Sequence, residues 1–117
     1  MTAISTFGKI KQVAQAMGVP AYPDVYTGDD LNTWITYNLA EEYGDLFADD
    51  APDAVVDSVQ VHLFVRTSQN YLPLMRTLRD GLFAAGFTWP DITTDYESDQ
   101  KLRHIILEAS IEAEEGE

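Results

Sequence analysis

The feature that most restricts the fold is the stretch at residues 55–66, VVDSVQVHLFVR, in which apolar and polar side chains alternate. One row is apolar except for Asp57, and it comprises Val55, Val59, Val61, Leu63 and Val65. The other row is mixed and includes His62, Phe64 and Arg66. Alternation with a period of two is typical of a strand that has one face in a core and the other facing water or a partner. We therefore predict that residues 55–66 form the central strand of a mostly antiparallel sheet.

Two segments have the spacing of amphipathic helices. In residues 2–17, and again from a start near Ser68 or Asn70 to Gly86, apolar side chains recur three and four positions apart. A glycine follows each series, at Gly18 and Gly86, and glycine is the usual residue just past a helix end. The sequence therefore predicts one helix before the central strand and one after it.

Two further segments alternate clearly enough to predict strands. They are residues 34–39 and residues 101–111. The first is expected to extend to Phe47 across a bulge at Gly44, because an isolated glycine inside a strand often marks a bulge. Both strands are expected to lie in the same sheet as the central strand.

Proline and acidic residues mark the weaker segments. Residues 22–26 and 87–96 contain or adjoin prolines, which favour edge strands because proline cannot donate to a strand ladder. Residues 48–53, ADDAPD, have the composition of a loop.

The order of these elements predicts the fold class. Helix, strands, helix and strands in succession indicate an α+β fold, with a mostly antiparallel sheet and two amphipathic helices packed on one face. A chain of 117 residues is expected to form one domain, which we place at residues 1–111. Residues 112–117 are expected to be a disordered acidic tail.

The charge excludes some partners. The chain has 20 acidic and 7 basic residues and a net charge of −13. Phosphate backbones and anionic membranes attract clustered Lys and Arg, so neither direct nucleic-acid contact nor a membrane surface is expected. The sequence has no cysteine, which excludes disulfides, thiol catalysis and cysteine zinc ligands.

Titratable residues give two weak candidates for chemistry. Asp49, Asp50 and Asp53 share the predicted loop, where close carboxylates can bind calcium or magnesium, but a solvated loop is favoured because the EF-hand pattern is absent. His62 and His104 lie on predicted strands without a recognisable nucleophile, so cross-strand polar residues are favoured over a zinc or catalytic site. No cofactor is expected.

Aromatic residues exceed what a small core accommodates. The surplus comprises Trp34, Tyr37, Tyr43, Phe47, Phe64 and Trp89. Phe64 belongs to the polar row of the central strand. Aromatic side chains on an exposed sheet face can mark a protein–protein surface, whereas cover by a loop or by the N-terminal segment is the alternative. Both interpretations remain open from the sequence.

Short motifs follow one another along the chain in a characteristic order. An amphipathic helix precedes a Val-Pro step, a Trp-Ile-Thr-Tyr strand, an Ala-Asp-Asp loop, a long strand that ends in Thr, a helix closed by Gly-Phe, and a final hairpin. These motifs lie at residues 6–17, 19–20, 34–37, 48–50, 59–67, 72–87 and 91–111. This layout resembles the small tail-terminator or tail-completion proteins of long-tailed bacteriophages, also known as minor tail or tail-to-head joining proteins. The stretch WITYNLAEEYGDLF departs from the family pattern, which has a shorter polar turn after Tyr37.

The resemblance implies a structural protein without catalysis. Such proteins assemble as rings, usually hexamers, on the end of the tail tube, where they stop polymerisation and offer a surface to the head connector. The implied partners are copies of the same chain, the major tail tube protein and head–tail connector proteins. The implied location is the head-proximal end of the virion tail, with the host cytoplasm as the place of assembly. A ring requires a head-to-tail interface that closes.

We expect the subunit interface on residues 23–30, on residues 45–53 and on the polar face of the central strand. The candidate interface residues are Tyr26, Asp29, Asp30, Asp49, Asp50, Asp53, Phe64 and Arg66. Two other functions remain open. One is a small protein-binding adaptor of prophage or host origin, and the other is a small enzyme built around His62 and His104, because fold analogy alone does not decide function.

Overall fold

The computed structural model describes residues 5–26, 32–48, 51–66 and 70–113, with the backbone alone at residues 45–48 and 51–53. Within these ranges the chain forms two helices and five strands. In chain order they are α1 (Thr6–Met17), β1 (Ala21–Pro23), β2 (Thr33–Ala48), β3 (Ala51–Arg66), α2 (Tyr71–Ala84), β4 (Asp91–Glu97) and β5 (Leu102–Glu112). The predicted α+β class is therefore confirmed.

The five strands form one sheet in the order β1-β2-β3-β5-β4. β1 runs parallel to β2 over three residues, and the other neighbouring strands are antiparallel. β3 pairs with β2 on one side and with β5 on the other, so the stretch predicted as the central strand occupies the centre. The short β1 and the polar β4 form the two edges, where proline and charged residues discourage pairing with other chains.

The core lies between one face of the sheet and both helices. The apolar row of β3 supplies Val59, Val61, Leu63 and Val65, all with no exposed surface. The helices cover this row with Ile10, Ala14, Leu78 and Leu82. Full burial of such a side chain stabilises the fold by about 1.5–3 kcal/mol. Among the described residues no helix covers the opposite face of the sheet.

Local sequence fixes where each helix begins and ends. The Ser5 hydroxyl accepts a backbone N–H of the first turn of α1, and Gly18 ends that helix in the left-handed region at φ 72°. The Asn70 side chain likewise accepts a first-turn N–H of α2, and Gly86, at φ 110°, follows that helix. These contacts satisfy backbone groups that have no partner within the helix.

The irregularity of β2 is displaced from its predicted position. The register against β3 shifts between Leu39 and Glu41, whereas Gly44 pairs regularly with Val55. The prediction of a bulge at Gly44 was therefore wrong. The shift follows Tyr37, the last β2 residue paired with β1, so it falls where β2 leaves the part of the sheet that has strands on both sides.

The loop predicted at residues 48–53 is largely strand. β2 continues to residue 48 and β3 begins at residue 51. Cross-strand pairing outweighs the loop-like composition here. Pro52 is tolerated because β5 pairs with β3 only from Val56 onward, so a ladder donor is not needed on that side.

Beyond the shared sheet, β2 and β3 continue together as a two-stranded projection, which we call the arm (residues 41–48 and 51–55). β1 reaches only Tyr37 and β5 only Val56, and the last bond from the β5 side runs from the Ala113 N–H to the Val55 carbonyl at 2.7 Å. Beyond that bond, within the described chain, the two arm strands pair with each other. Eight strand residues extend about 26 Å at about 3.3 Å each. The molecule measures 54 × 29 × 25 Å.

Asp57, which interrupts the apolar row of β3, joins the sheet to α1. Its Oδ2 accepts a hydrogen bond of 2.7 Å from the Thr6 hydroxyl at the start of the helix. The Asp57 side chain is buried, and its Oδ1 has no hydrogen-bond partner among the described residues. The partial positive charge of a helix N-terminus favours a carboxylate there.

Gly81 sets the distance between the two helices. A Cβ at this position would lie 2.6 Å from Cγ1 of Val13 on α1.

The substitution Gly81→Ala tests this close approach. It gains about 1 kcal/mol of helix propensity, but overpacking costs about 1–3 kcal/mol, so we expect a net loss of stability. Val13→Ala removes the clash, so the double variant should be more stable than the sum of the single effects by about 1 kcal/mol or more. Denaturant unfolding of the four proteins measures this coupling, and additive effects would contradict the close approach.

Candidate functional site

A row of stacked rings crosses the sheet face opposite the helices. Trp34 on β2, Phe64 on β3 and His104 on β5 are neighbours because the strand register pairs Trp34 with Phe64 and Phe64 with His104. The ring centroids are 5.1 Å and 4.4 Å apart, with interplanar angles of 13° and 17°. Stacked pairs add about 0.5–1.5 kcal/mol beyond the burial of their surface. We call these three residues the aromatic row. Trp34 is buried, with 6% of its surface exposed, whereas Phe64 and His104 are partly exposed.

Tyr26 and Arg66 extend the aromatic row around Trp34. The Tyr26 ring lies 5.6 Å from the Trp34 ring and stacks on Tyr22 at 4.6 Å. The Arg66 guanidinium lies 5.5 Å from the Trp34 centroid and donates to the Gln100 carbonyl at 3.3 Å. Trp, Tyr and Arg are the residue types most enriched among those that dominate binding energy at protein interfaces.

A shallow cavity opens beside the aromatic row. Its volume is about 220 Å³, and Trp34, Phe64 and Leu102 line its apolar part. Asp24 and Glu97 contribute carboxylates to its lining. This volume is below the about 300–1,000 Å³ typical of clefts for small-molecule ligands. An apolar side chain from a docking protein fits such a cavity better than a cofactor does.

The two histidines form a hydrogen-bonded chain along the same face. Nδ1 of His62 lies 2.8 Å from Nε2 of His104, and Nε2 of His62 lies 3.2 Å from Oδ1 of Asn38. Asn38 Nδ2 donates to Oε1 of Gln60 at 3.3 Å, which orients the amide with its oxygen toward His62. Because that oxygen can only accept, the Nε2 of His62 carries a proton. In neutral His62 the Nδ1 then accepts from Nε2–H of His104.

The surroundings of His62 make its protonation less favourable than that of a free histidine. Burial, and then the nearby positive charge of His104, lower the pKa of His62 below its ordinary value. Protonation of His62 is therefore disfavoured. Nδ1 of His104 points to Oε1 of Glu97 at 3.6 Å, an ion-pair distance when the ring is protonated.

The structure brings together three of the predicted interface residues. Tyr26, Phe64 and Arg66 all lie around Trp34 on the open face. Asp53 lies in β3, where the backbone alone is described. The remaining four predicted residues lie outside the described residues, and they are Asp29, Asp30, Asp49 and Asp50. The assignment of all eight residues to an interface stays a prediction.

Sequence reasoning missed other members of the site. Trp34 was singled out as a surplus aromatic, but its stacking on Phe64 was not predicted. The contact of His62 with His104 and the positions of Glu97 and Leu102 were also missed. The signal that would have found them is the register between strands, because each of these residues shares the open face at paired positions.

The described residues contain neither a metal-binding cluster nor a membrane-spanning helix. In residues 5–26, 32–48, 51–66 and 70–113, no group of three or more His, Asp or Glu side chains is arranged to hold a metal ion. Within the same ranges, neither helix has the length and apolarity needed to cross a membrane.

The lowered pKa of His62 predicts how stability depends on pH. In the unfolded chain His62 takes up a proton near pH 6.5, whereas in the folded chain it does so at a lower pH. Its neutral form therefore contributes fully above about pH 6.5, and folding stability falls as the pH drops below that value. We expect the free energy of unfolding, measured with urea between pH 5 and 7.5, to decrease toward low pH. In His62→Gln the part of this decrease that is due to His62 should be absent.

His104→Gln is the matched control. This variant removes the positive charge of His104, which is the smaller cause of the lowered pKa of His62, and it leaves the burial of His62 in place. The pKa of His62 should therefore rise only part of the way to its ordinary value. Proton NMR titration follows the His62 ring directly, because the chain has only two histidines. A His62 pKa at or above the ordinary value in the unaltered protein would contradict the arrangement described.

Comparison with known proteins identifies a structural likeness. No protein-family model matches this chain, and no curated protein sequence matches it. Six chains of solved structures match. One of them comes from a structure described as the virion of a native gene transfer agent (GTA) particle, and it has a TM-score of 0.55 and 12% sequence identity. The match covers 97% of this chain and all of that chain. At this level of identity the likeness shows the fold: the α+β arrangement seen here is also that of a chain in a virion structure.

Proposed function

We propose that this chain is a structural protein of a phage-like virion, without catalysis, that forms a ring on the end of a tail tube. The ring, most simply a hexamer, ends polymerisation of the tube and presents the surface to which head connector proteins bind. The observation that carries this proposal is the sheet face opposite the helices, where Phe64, His104, Tyr26 and Arg66 are partly exposed around the buried Trp34 and offer a surface to another protein.

Three independent features support the proposal. The order of motifs resembles that of tail-terminator proteins. The fold is shared with a chain of a virion structure along nearly the whole length of both. The open face has the composition of the centre of a protein interface, in which aromatic residues and Arg are enriched. The third feature is specific to this chain, because it depends on side chains and not on the fold.

The charge of the chain implies a condition for assembly. Copies that each carry a net charge of −13 repel one another when they approach. Salt screens this repulsion, and the Debye length is about 8 Å at physiological ionic strength. A tail tube with a complementary surface would also offset it. The protein should therefore stay dispersed at low salt and form rings when tail tubes or added salt are present.

Negative-stain imaging of purified protein mixed with tail tubes tests the proposal. The unaltered protein should occupy tube ends as rings and should stop further growth of the tubes. Phe64→Ser should lower occupancy roughly 10- to 30-fold, because residues that dominate an interface contribute about 2 kcal/mol or more each. Arg66→Glu, which leaves the stack of Phe64 on Trp34 in place, should also lower occupancy.

Tyr96→Ser is the matched control for these variants. Tyr96 is 45% exposed and contacts Arg103, which the register pairs with buried Val65, so it lies on the helix side of the sheet. This variant should bind tube ends normally. Thermal unfolding of every variant separates loss of binding from loss of folding. A folded, unaltered protein that never occupies tube ends would contradict the proposal.

A further inference from the structure

The arm and the surface of the helix layer are complementary, and they belong to different parts of the molecule. We propose that the arm of one copy docks in the groove between α1 and α2 of a second copy. The inference rests on the ring assembly proposed above and names the surfaces that join its subunits. This contact between copies does not use the open face, which would remain accessible to tail or connector proteins.

The groove between the helices can receive such a segment. It has a volume of about 290 Å³, and Val13 and Met17 of α1 and Ala85 after α2 give it an apolar floor. Lys9 and Gln12 of α1 stand at its rim, opposite Thr77 of α2. Its lining contains no acidic residue. Exposed apolar surface flanked by polar and basic groups is typical of a protein-binding site.

The distribution of charge identifies the occupant. The two helices carry four of the seven basic residues, Lys9, Lys11, Arg76 and Arg79, and one of the 20 acidic residues, Asp80. The arm contains four acidic residues, Glu41, Glu42, Asp45 and Asp53, and no basic residue. A basic layer and an acidic projection on the same molecule attract each other between copies, although the whole chains repel.

The arm also needs a partner for its own stability. A two-stranded ribbon alone is marginally stable in water. Near the base of the arm Leu39 is 45% exposed and Tyr43 is 43% exposed. Docking on an apolar floor would bury such surface and would cover the free edges of the two strands.

The geometry of this contact allows a ring. The arm and the groove are different surfaces, so each copy gives its arm to one neighbour and receives an arm from another. Such a head-to-tail contact closes into a ring when the rotation between copies is suitable. No additional contact between arms is needed.

Disulfide trapping tests the contact without background, because the natural chain has no cysteine. The two positions are Gln12, exposed at the rim of the groove, and Asp45, which lies in the arm. Gln12→Cys and Asp45→Cys are mixed in equal amounts with tail tubes and then oxidised. The expected product is a dimer that contains one copy of each variant. The double variant should give a ladder of linked chains, and its largest member gives the number of subunits in the ring.

Lys101→Cys mixed with Asp45→Cys is the matched control. Lys101 is exposed in the turn between β4 and β5 and does not line the groove, so random collision alone would link it to the arm. This mixture should yield at least about tenfold less dimer. Rings on tube ends without the Gln12–Asp45 link, or with equal linking in the control, would overturn the docking inference and leave the proposed function standing. Absence of rings with the unaltered protein would instead overturn the proposed function, and the inference with it.

Discussion

The burial of one side of β3 under two helices is the interaction on which the rest of this structure depends. Val59, Val61, Leu63 and Val65 have no exposed surface, and they lie beneath Ile10, Leu78 and other apolar side chains of α1 and α2. Each of these burials contributes about 1.5–3 kcal/mol. Because side chains alternate along a strand, fixing one face of β3 also fixes which side chains appear on the other.

The open face follows directly from that constraint. His62 and Phe64 sit between the buried positions of β3, and the antiparallel neighbours add Trp34 and His104 at matching register. Side chains that lie far apart in the chain thereby become a continuous aromatic and polar platform. The same register joins His62 to His104 and brings Asn38 and Glu97 to the two ends of that pair. Stacking and hydrogen bonds thereby hold these side chains in one arrangement.

Local signals in the sequence were enough to predict the fold class, the central strand and the C-terminal ends of both helices. These signals are the alternation of residues 55–66 and the glycines at positions 18 and 86. Each depends only on residues that are close in sequence, so the strand and the helix ends could be predicted without knowledge of tertiary contacts. The arm was not predicted at residues 51–53, because strand pairing with β2 overrides a composition that is typical of a loop. The bulge position and the aromatic row were missed for a related reason, since both depend on register between strands distant in sequence. Of the residues predicted for an interface, Tyr26, Phe64 and Arg66 lie around Trp34, and nothing local in the sequence indicated that Trp34 joins them.

The helices shield one face of the sheet, and we propose that the other face meets another protein. Hydroxyl-radical footprinting, with and without tail tubes, tests it most directly. In the free protein Phe64 and His104 should be oxidised and Leu78 and Leu82 should not. On tube ends the labelling of Phe64 and His104 should fall, while that of Tyr96 on the helix side stays unchanged. Unchanged labelling of Phe64 and His104 in protein that is bound to tubes would contradict the account.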